Sequence, residues 1–126
     1  MKKKVLIVVA HPDDEAIGCG GYISKLVSLG NTVYGVYLTD GEKGRSDSSP
    51  KKILSRKKEA YTSSKILGLK WIDQFCGIFE DQLLDIVPLI KINKILEKVK
   101  KLVNPDIIIT HFNWLCSFKR QVFFRK

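Results

Sequence analysis

Residues 11 to 15 read His-Pro-Asp-Asp-Glu, placing one imidazole and three carboxylates within five positions. Imidazole nitrogens and carboxylate oxygens are the donors that zinc and similar divalent ions take. A spare carboxylate beside such an ion can collect a proton from bound water. Metal-assisted hydrolysis is therefore chemistry this cluster could perform. A plainer use exists, because acids complement the positive end of a helix and Asp13 or Asp14 could be its N-cap. Capping explains one acid well but not three in a row beside a histidine, so both readings stay open here.

Such a cluster needs a strand to deliver it and a helix to receive it. Val5-Leu-Ile-Val-Val-Ala10 is apolar throughout and rich in β-branched residues. It lacks polar alternation, which predicts a strand covered on both faces in a parallel sheet. Pro12 has no N–H for a ladder and disfavours helix for His11, so the strand ends there. A helix is predicted over 15–29, with Cys19, Ile23 and Leu26 on one face and Gly30-Asn31 as its stop. A second strand over 32–39 ends in Asp40-Gly41, and a polar loop runs on to Pro50 that should be mobile or become ordered on a ligand. Ile53 to Leu67 is a second helix capped by Gly68, on which Arg56 and Glu59 share a face. A short third strand is expected at 71–75, a turn at 81–84, a third helix at 88–103, and a fourth strand at 106–110 buried like the first. This alternation predicts an α/β fold: a Rossmann-like three-layer α/β/α arrangement around a mostly parallel sheet. The carboxyl edge of such a sheet is where ligands bind.

Ala10-His-Pro-Asp-Asp-Glu15 with Gly20-Gly21 resembles the signature of the LmbE-like, or PIG-L, deacetylases, which remove acetyl groups from N-acetylglucosamine-type sugars with a metal. Leu38-Thr-Asp-Gly-Glu-Lys-Gly44, Arg56-Lys-Lys-Glu-Ala60, Ile66-Leu-Gly68 and Pro105-Asp-Ile-Ile-Ile-Thr-His111 fit in order. The resemblance implies that His11 and Asp14 ligate zinc or another divalent metal and that Asp13 is the general base. It also implies that Arg56 faces the sugar or its attached group, where its fork of donors suits vicinal hydroxyls or a phosphate. The plain alternative is an arginine paired with Glu59 or Glu42. Glu15 is expected to hold the loop or a ligand by hydrogen bonds, and Asp40 and Glu42 to bind hydroxyls or solvate their loop.

The resemblance weakens toward the end of the chain. The family's third ligand is a histidine in a short element after the last strand, and Arg120 stands in its place. A guanidinium has no acceptor and cannot coordinate a cation. His111 is the sole imidazole that could substitute, with Cys116 as a thiolate alternative; without a third ligand the metal would be weakly held. The domain is accordingly expected at 1–112, incomplete at its C-terminus, followed by an atypical basic and aromatic tail at 113–126. Hydrolysis therefore competes with a non-catalytic sugar- or partner-binding relative, or an inactive fragment.

The 126 residues suit a single domain that buries roughly two-thirds of its unfolded surface. No apolar run approaches the ~20 residues of a membrane span, and a cytoplasmic protein is expected, with a homo-oligomer allowed. Three widely spaced cysteines suggest neither disulfides nor a zinc knuckle. The net charge of +9 comes mostly from lysines scattered along helices, the pattern of a solvated face, which disfavours a nucleic-acid module. Dinucleotide binding is disfavoured too, because Ile23 stands where G-x-G-x-x-G needs its last glycine.

Overall fold

A computed structural model of the chain describes residues 1–111. Its elements are β1 (Lys4–Val9), α1 (Asp14–Ser28), β2 (Thr32–Tyr37), α2 (Pro50–Leu67), β3 (Leu69–Trp71), α3 (Leu89–Val103) and β4 (Ile107–Thr110), with a short 3₁₀ turn at Asp73–Phe75. The four strands form one parallel sheet in the order β3-β2-β1-β4. The expected three-layer α/β/α architecture is thus present.

The strand β1 is central because its side chains are apolar on both faces. Val5, Ile7 and Val9 pack with Ile23 and Leu26 of α1 and Ala60 of α2. Leu6 and Val8 pack on the other side with Ile92, Val99 and Val103 of α3. Every residue from Val5 to Ala10 is at least nine-tenths buried. Gly30 and Gly68 end α1 and α2 at φ 82° and 77°, as their placement after each apolar pattern predicts. The path of α1 is interrupted at Cys19 (φ −148°), within a glycine-rich run that holds helical geometry poorly.

Two boundaries and one burial pattern differ from expectation. The third strand is Leu69–Trp71 rather than 71–75, because the left-handed Gly68 turns the chain directly from α2 into the sheet. Trp71 ends that strand edge-to-face on Tyr37 with its Nε1 donating to Ala60 O at 3.1 Å, and Asp73-Gln74, poor strand formers, coil into the 3₁₀ turn. The helix α2 starts at Pro50 rather than Ile53, since Ser49 accepts from Lys52 N and proline suits the first helical position. The strand β4 is not buried like β1. Among the described residues it pairs with β1 alone, and Ile108 is 47% exposed.

Gly35 marks the tightest packing of the sheet, since a Cβ there would lie 2.7 Å from Trp71 and 3.2 Å from Leu69. Gly35→Ala is expected to cost about 1–3 kcal/mol through overpacking, read as a lower urea midpoint at unchanged m-value. Among the described residues no helix is long and apolar enough to cross a membrane.

Candidate active site

Parallel pairing of β1 with β4 aligns Val8 with Thr110, so His11 and His111 both emerge at the carboxyl edge of the sheet. Between β1 and α1 the chain turns sharply. Asp13 and Asp14 both donate backbone N–H groups to His11 O, at 3.1 and 3.4 Å. Asp13 has φ 150°, uncommon for a residue with a side chain. It occupies the N-cap of α1 without a side-chain capping bond. The carboxylates serve the turn itself: Asp14 Oδ2 accepts His11 N at 2.9 Å, and Glu15 Oε2 accepts Asp13 N at 3.1 Å. Glu15 is fully buried, its Oε1 has no partner among the described residues, and burial pushes its pKa up against the lowering effect of backbone hydrogen bonds.

The imidazoles converge on Asp14. His11 Nδ1 lies 3.3 Å and His111 Nε2 3.0 Å from Asp14 Oδ2. His111 Nε2 is also 3.3 Å from Ala10 N. One ring nitrogen cannot both accept from that amide and donate to the carboxylate, so its proton state selects one contact. On its far side His11 Nε2 meets Asp81 Oδ1 at 2.8 Å. Asp81 is 6% exposed and was legible in the sequence only as part of a turn; no spacing rule ties it to a histidine 70 positions earlier.

Arg56 reaches the cluster from α2. Its Nη2 donates to Asp13 Oδ2 at 2.8 Å and its Nη1 to Glu42 Oε1 at 3.1 Å. The contact with Glu42 is one of the two pairings expected as the plain alternative, whereas Glu59 instead accepts from Ser55. Arg56 is clasped between the first two loops, with its Nε and Glu42 Oε2 both buried and without a partner among the described residues. Gly41, at φ 72°, lets the loop close on it, since a Cβ there would sit 2.9 Å from Arg56 Nε. Asp40 Oδ1 accepts Glu42 N and Lys43 N, at 2.9 and 2.8 Å, and so shapes its own loop. Cys116 and Arg120, and the tail at 113–126, lie outside the described residues.

The profile of the family described as PIG-L, GlcNAc-PI de-N-acetylase, matches residues 6–116. The chain belongs to the PIG-L family. A diacetylchitobiose deacetylase of Thermococcus kodakarensis is 47% identical over 73 residues, which cover 56% of this chain and 27% of that protein. A probable N-acetyl-alpha-D-glucosaminyl L-malate deacetylase of Bacillus cereus is 32% identical over 120 residues, covering 89% of this chain and 53% of that one. Among solved structures, an N,N'-diacetylchitobiose deacetylase from Pyrococcus horikoshii superposes with a TM-score of 0.71 at 34% identity, over 84% of this chain and 39% of that chain. A 4-carboxy-2-hydroxymuconate hydratase from Pseudomonas putida gives 0.71 at 25% identity, over 88% and 47%. This PIG-L chain thus spans about half or less of the length of these relatives.

The donor types of the PIG-L site fit a divalent ion. Zinc with bonds of about 2.0–2.1 Å in a tetrahedral shell holds its donors roughly 3.3 Å apart, and the two imidazole nitrogens stand 3.3 and 3.0 Å from Asp14 Oδ2. Two lone pairs facing a carboxylate oxygen at that range need a proton or a cation between them. Among the described residues, however, no group of three or more His, Cys, Asp or Glu side chains is placed so that it could hold a metal ion. The three donor groups lie folded onto one another.

Cys19 and Cys76 are free thiols. Burial pushes the Cys76 thiol from 9.0 up to about 12, which leaves it roughly a thousandfold less thiolate near neutrality. Iodoacetamide at pH 8 is therefore expected to leave Cys76 largely unmodified, with labelling rising steeply above about pH 10, as peptide mass mapping would show.

Proposed function

We propose that this PIG-L chain is a metal-dependent deacetylase of N-acetylglucosamine-type sugar conjugates. The observation that carries the reading is the meeting of His11, Asp14 and His111 at the carboxyl edge of β1 and β4, with Asp13 beside them. Support comes from the family match and from relatives named as deacetylases of N-acetyl sugars. His11, Asp14 and His111 would hold zinc or a similar ion, which supplies an acidified water and polarises the amide carbonyl.

The remaining steps belong to this chain's own residues. Asp13 serves as general base, and Arg56 holds one of its oxygens at 2.8 Å while the carboxylate stays half exposed. The second oxygen remains for the proton of the attacking water, and the same carboxyl then returns a proton to the leaving amine. Glu15 fixes the Asp13 amide from below. Arg56 contacts the sugar only by sharing or exchanging one of its two carboxylates, and Asp40 acts on substrate through the loop it shapes. On this reading residues 1–112 form the deacetylase-like domain of a cytoplasmic protein.

The test is zinc content and acetate release on the same preparation. About one zinc per chain, with acetate released from N,N'-diacetylchitobiose or an N-acetylglucosaminyl malate, is the expected result. Zinc retention with no release from either substrate would favour a sugar-binding relative, and absence of both would sink the metal-hydrolase reading.

A further inference from the structure

The site described above leaves one buried acid without an assignment. Asp81 Oδ1 lies 2.8 Å from His11 Nε2, although the turn that carries it is remote from the His-Pro-Asp-Asp-Glu stretch in sequence. We infer that Asp81 is a positioning residue: it holds the His11 ring with the proton on Nε2 and so presents the Nδ1 lone pair toward Asp14 Oδ2. The inference rests on the metal reading for its purpose and on geometry alone for its existence.

Three observations support it. The first is chemical. A neutral imidazole carries its proton on one nitrogen and a lone pair on the other, and a carboxylate offers acceptors only. His11 has a carboxylate oxygen at each ring nitrogen, 2.8 Å from Nε2 and 3.3 Å from Nδ1. The shorter contact, to the more buried acid, takes the proton, so the lone pair falls on the side where His111 Nε2 also arrives. An imidazole that gives one nitrogen to a metal commonly donates the other N–H to a carboxylate, which fixes its tautomer and orientation.

The second is that Asp81 is itself rigidly held. Its Oδ1 also accepts Gln82 N at 3.0 Å, and its side chain is 7% exposed. The preceding segment is pinned to the tip of β2, where Thr39 bridges to Phe79, Phe79 N donates to Leu38 O at 2.9 Å, and Asp40 N donates to Phe79 O at 3.3 Å.

The third is packing beyond the turn. A Cβ at Gly44 would lie 2.7 Å from Gln82 Cδ, so the loop after β2 closes directly onto the residue that follows Asp81. Gln82 itself has φ 60°, a backbone state that needs surrounding support. Together these contacts aim one carboxylate at the outer edge of one imidazole.

The chain has two histidines, so its side-chain imidazole ¹⁵N spectrum contains two rings, and His111 is an internal control. The experiment records that spectrum for full-length protein and for Asp81→Ala and Asp81→Asn, metal-free, about two pH units above the ordinary imidazole pKa of about 6.5. Zinc affinity of each protein is then measured by competition with a chromogenic chelator.

The expected result is a pyrrole-like Nε2 and a pyridine-like Nδ1 for His11 in the parent protein. Asp81→Ala should give averaged, mixed-tautomer shifts for His11 alone, with zinc affinity falling about 10–100-fold. Asp81→Asn, which keeps an acceptor oxygen and nearly the same shape, should retain part of both signals. That partial rescue separates positioning from misfolding. A His11 ring that carries its proton on Nδ1 in the parent protein, or that keeps its Nε2 proton in Asp81→Ala, would overturn the inference. A parent protein that shows the proton on Nε2, loses it in Asp81→Ala and never takes up zinc would uphold the hold of Asp81 on the ring. It would remove the metal reading instead.

Discussion

Asp13→Asn is expected to leave zinc bound and to lower the turnover of acetate release by about 10²–10⁴-fold, the range a positioned general base supplies. Asparagine matches aspartate in shape and can still offer an oxygen to Arg56 Nη2, 2.8 Å from Asp13 Oδ2 in the parent protein. It cannot accept a proton at neutral pH. The turn should persist, because Asp13 contributes its backbone N–H to Glu15 and to His11 O whatever its side chain. KM should change little if the group acts on the reacting water rather than on the sugar. Steady-state kinetics beside zinc analysis decides the matter: loss of zinc in Asp13→Asn would make Asp13 a ligand, and unchanged turnover would remove it from the reaction.

His11→Ala should have the opposite signature, with metal retention abolished and activity lost with it. His11 makes two contacts that nothing else replaces, Nδ1 toward Asp14 and Nε2 toward Asp81. Its loss removes a donor and also strands Asp81, a nearly buried carboxylate left with Gln82 N as its hydrogen-bond donor. Zinc affinity should therefore fall by more than the 10–100-fold associated with losing an outer partner. Some loss of stability is expected too, of about 1 kcal/mol, since a nearly buried carboxylate loses one of its two partners. Chelator competition and urea unfolding of the metal-free protein separate the two effects. Zinc binding at parental affinity in His11→Ala would show that the ion, if any, sits elsewhere.

Local chemistry explains which parts of this arrangement were legible in the sequence. The run from Val5 to Ala10 reads as a buried strand that Pro12 ends, so the cluster at the edge of the sheet followed from eleven consecutive residues. Capping by Gly30 and Gly68 was equally local. Asp81 was not legible, because its meaning depends on a bridge between Thr39 and Phe79 that no periodicity announces. The partners of Arg56 were half legible: Glu42 was one candidate, but Asp13 becomes its neighbour only when α2 packs beside α1. The burial of β4 is not legible for a related reason. Three isoleucines in a row read as a strand covered on both faces, whereas a strand that pairs on one side alone among the described residues can expose one of them, as Ile108 does.

The two imidazoles come from opposite ends of the described chain, and Asp14 and His111 are separated by 97 positions. The pairing of β1 with β4 closes a loop of similar length, and closures of that kind form late because their entropy must be met before any reward arrives. A half-made molecule therefore holds His11 and Asp14 without their counterpart from β4. An ion that recognises all three would bind the finished fold and ignore the unfolded chain. The midpoint of thermal unfolding would then climb with the logarithm of free zinc, making the ion a reporter of completed folding.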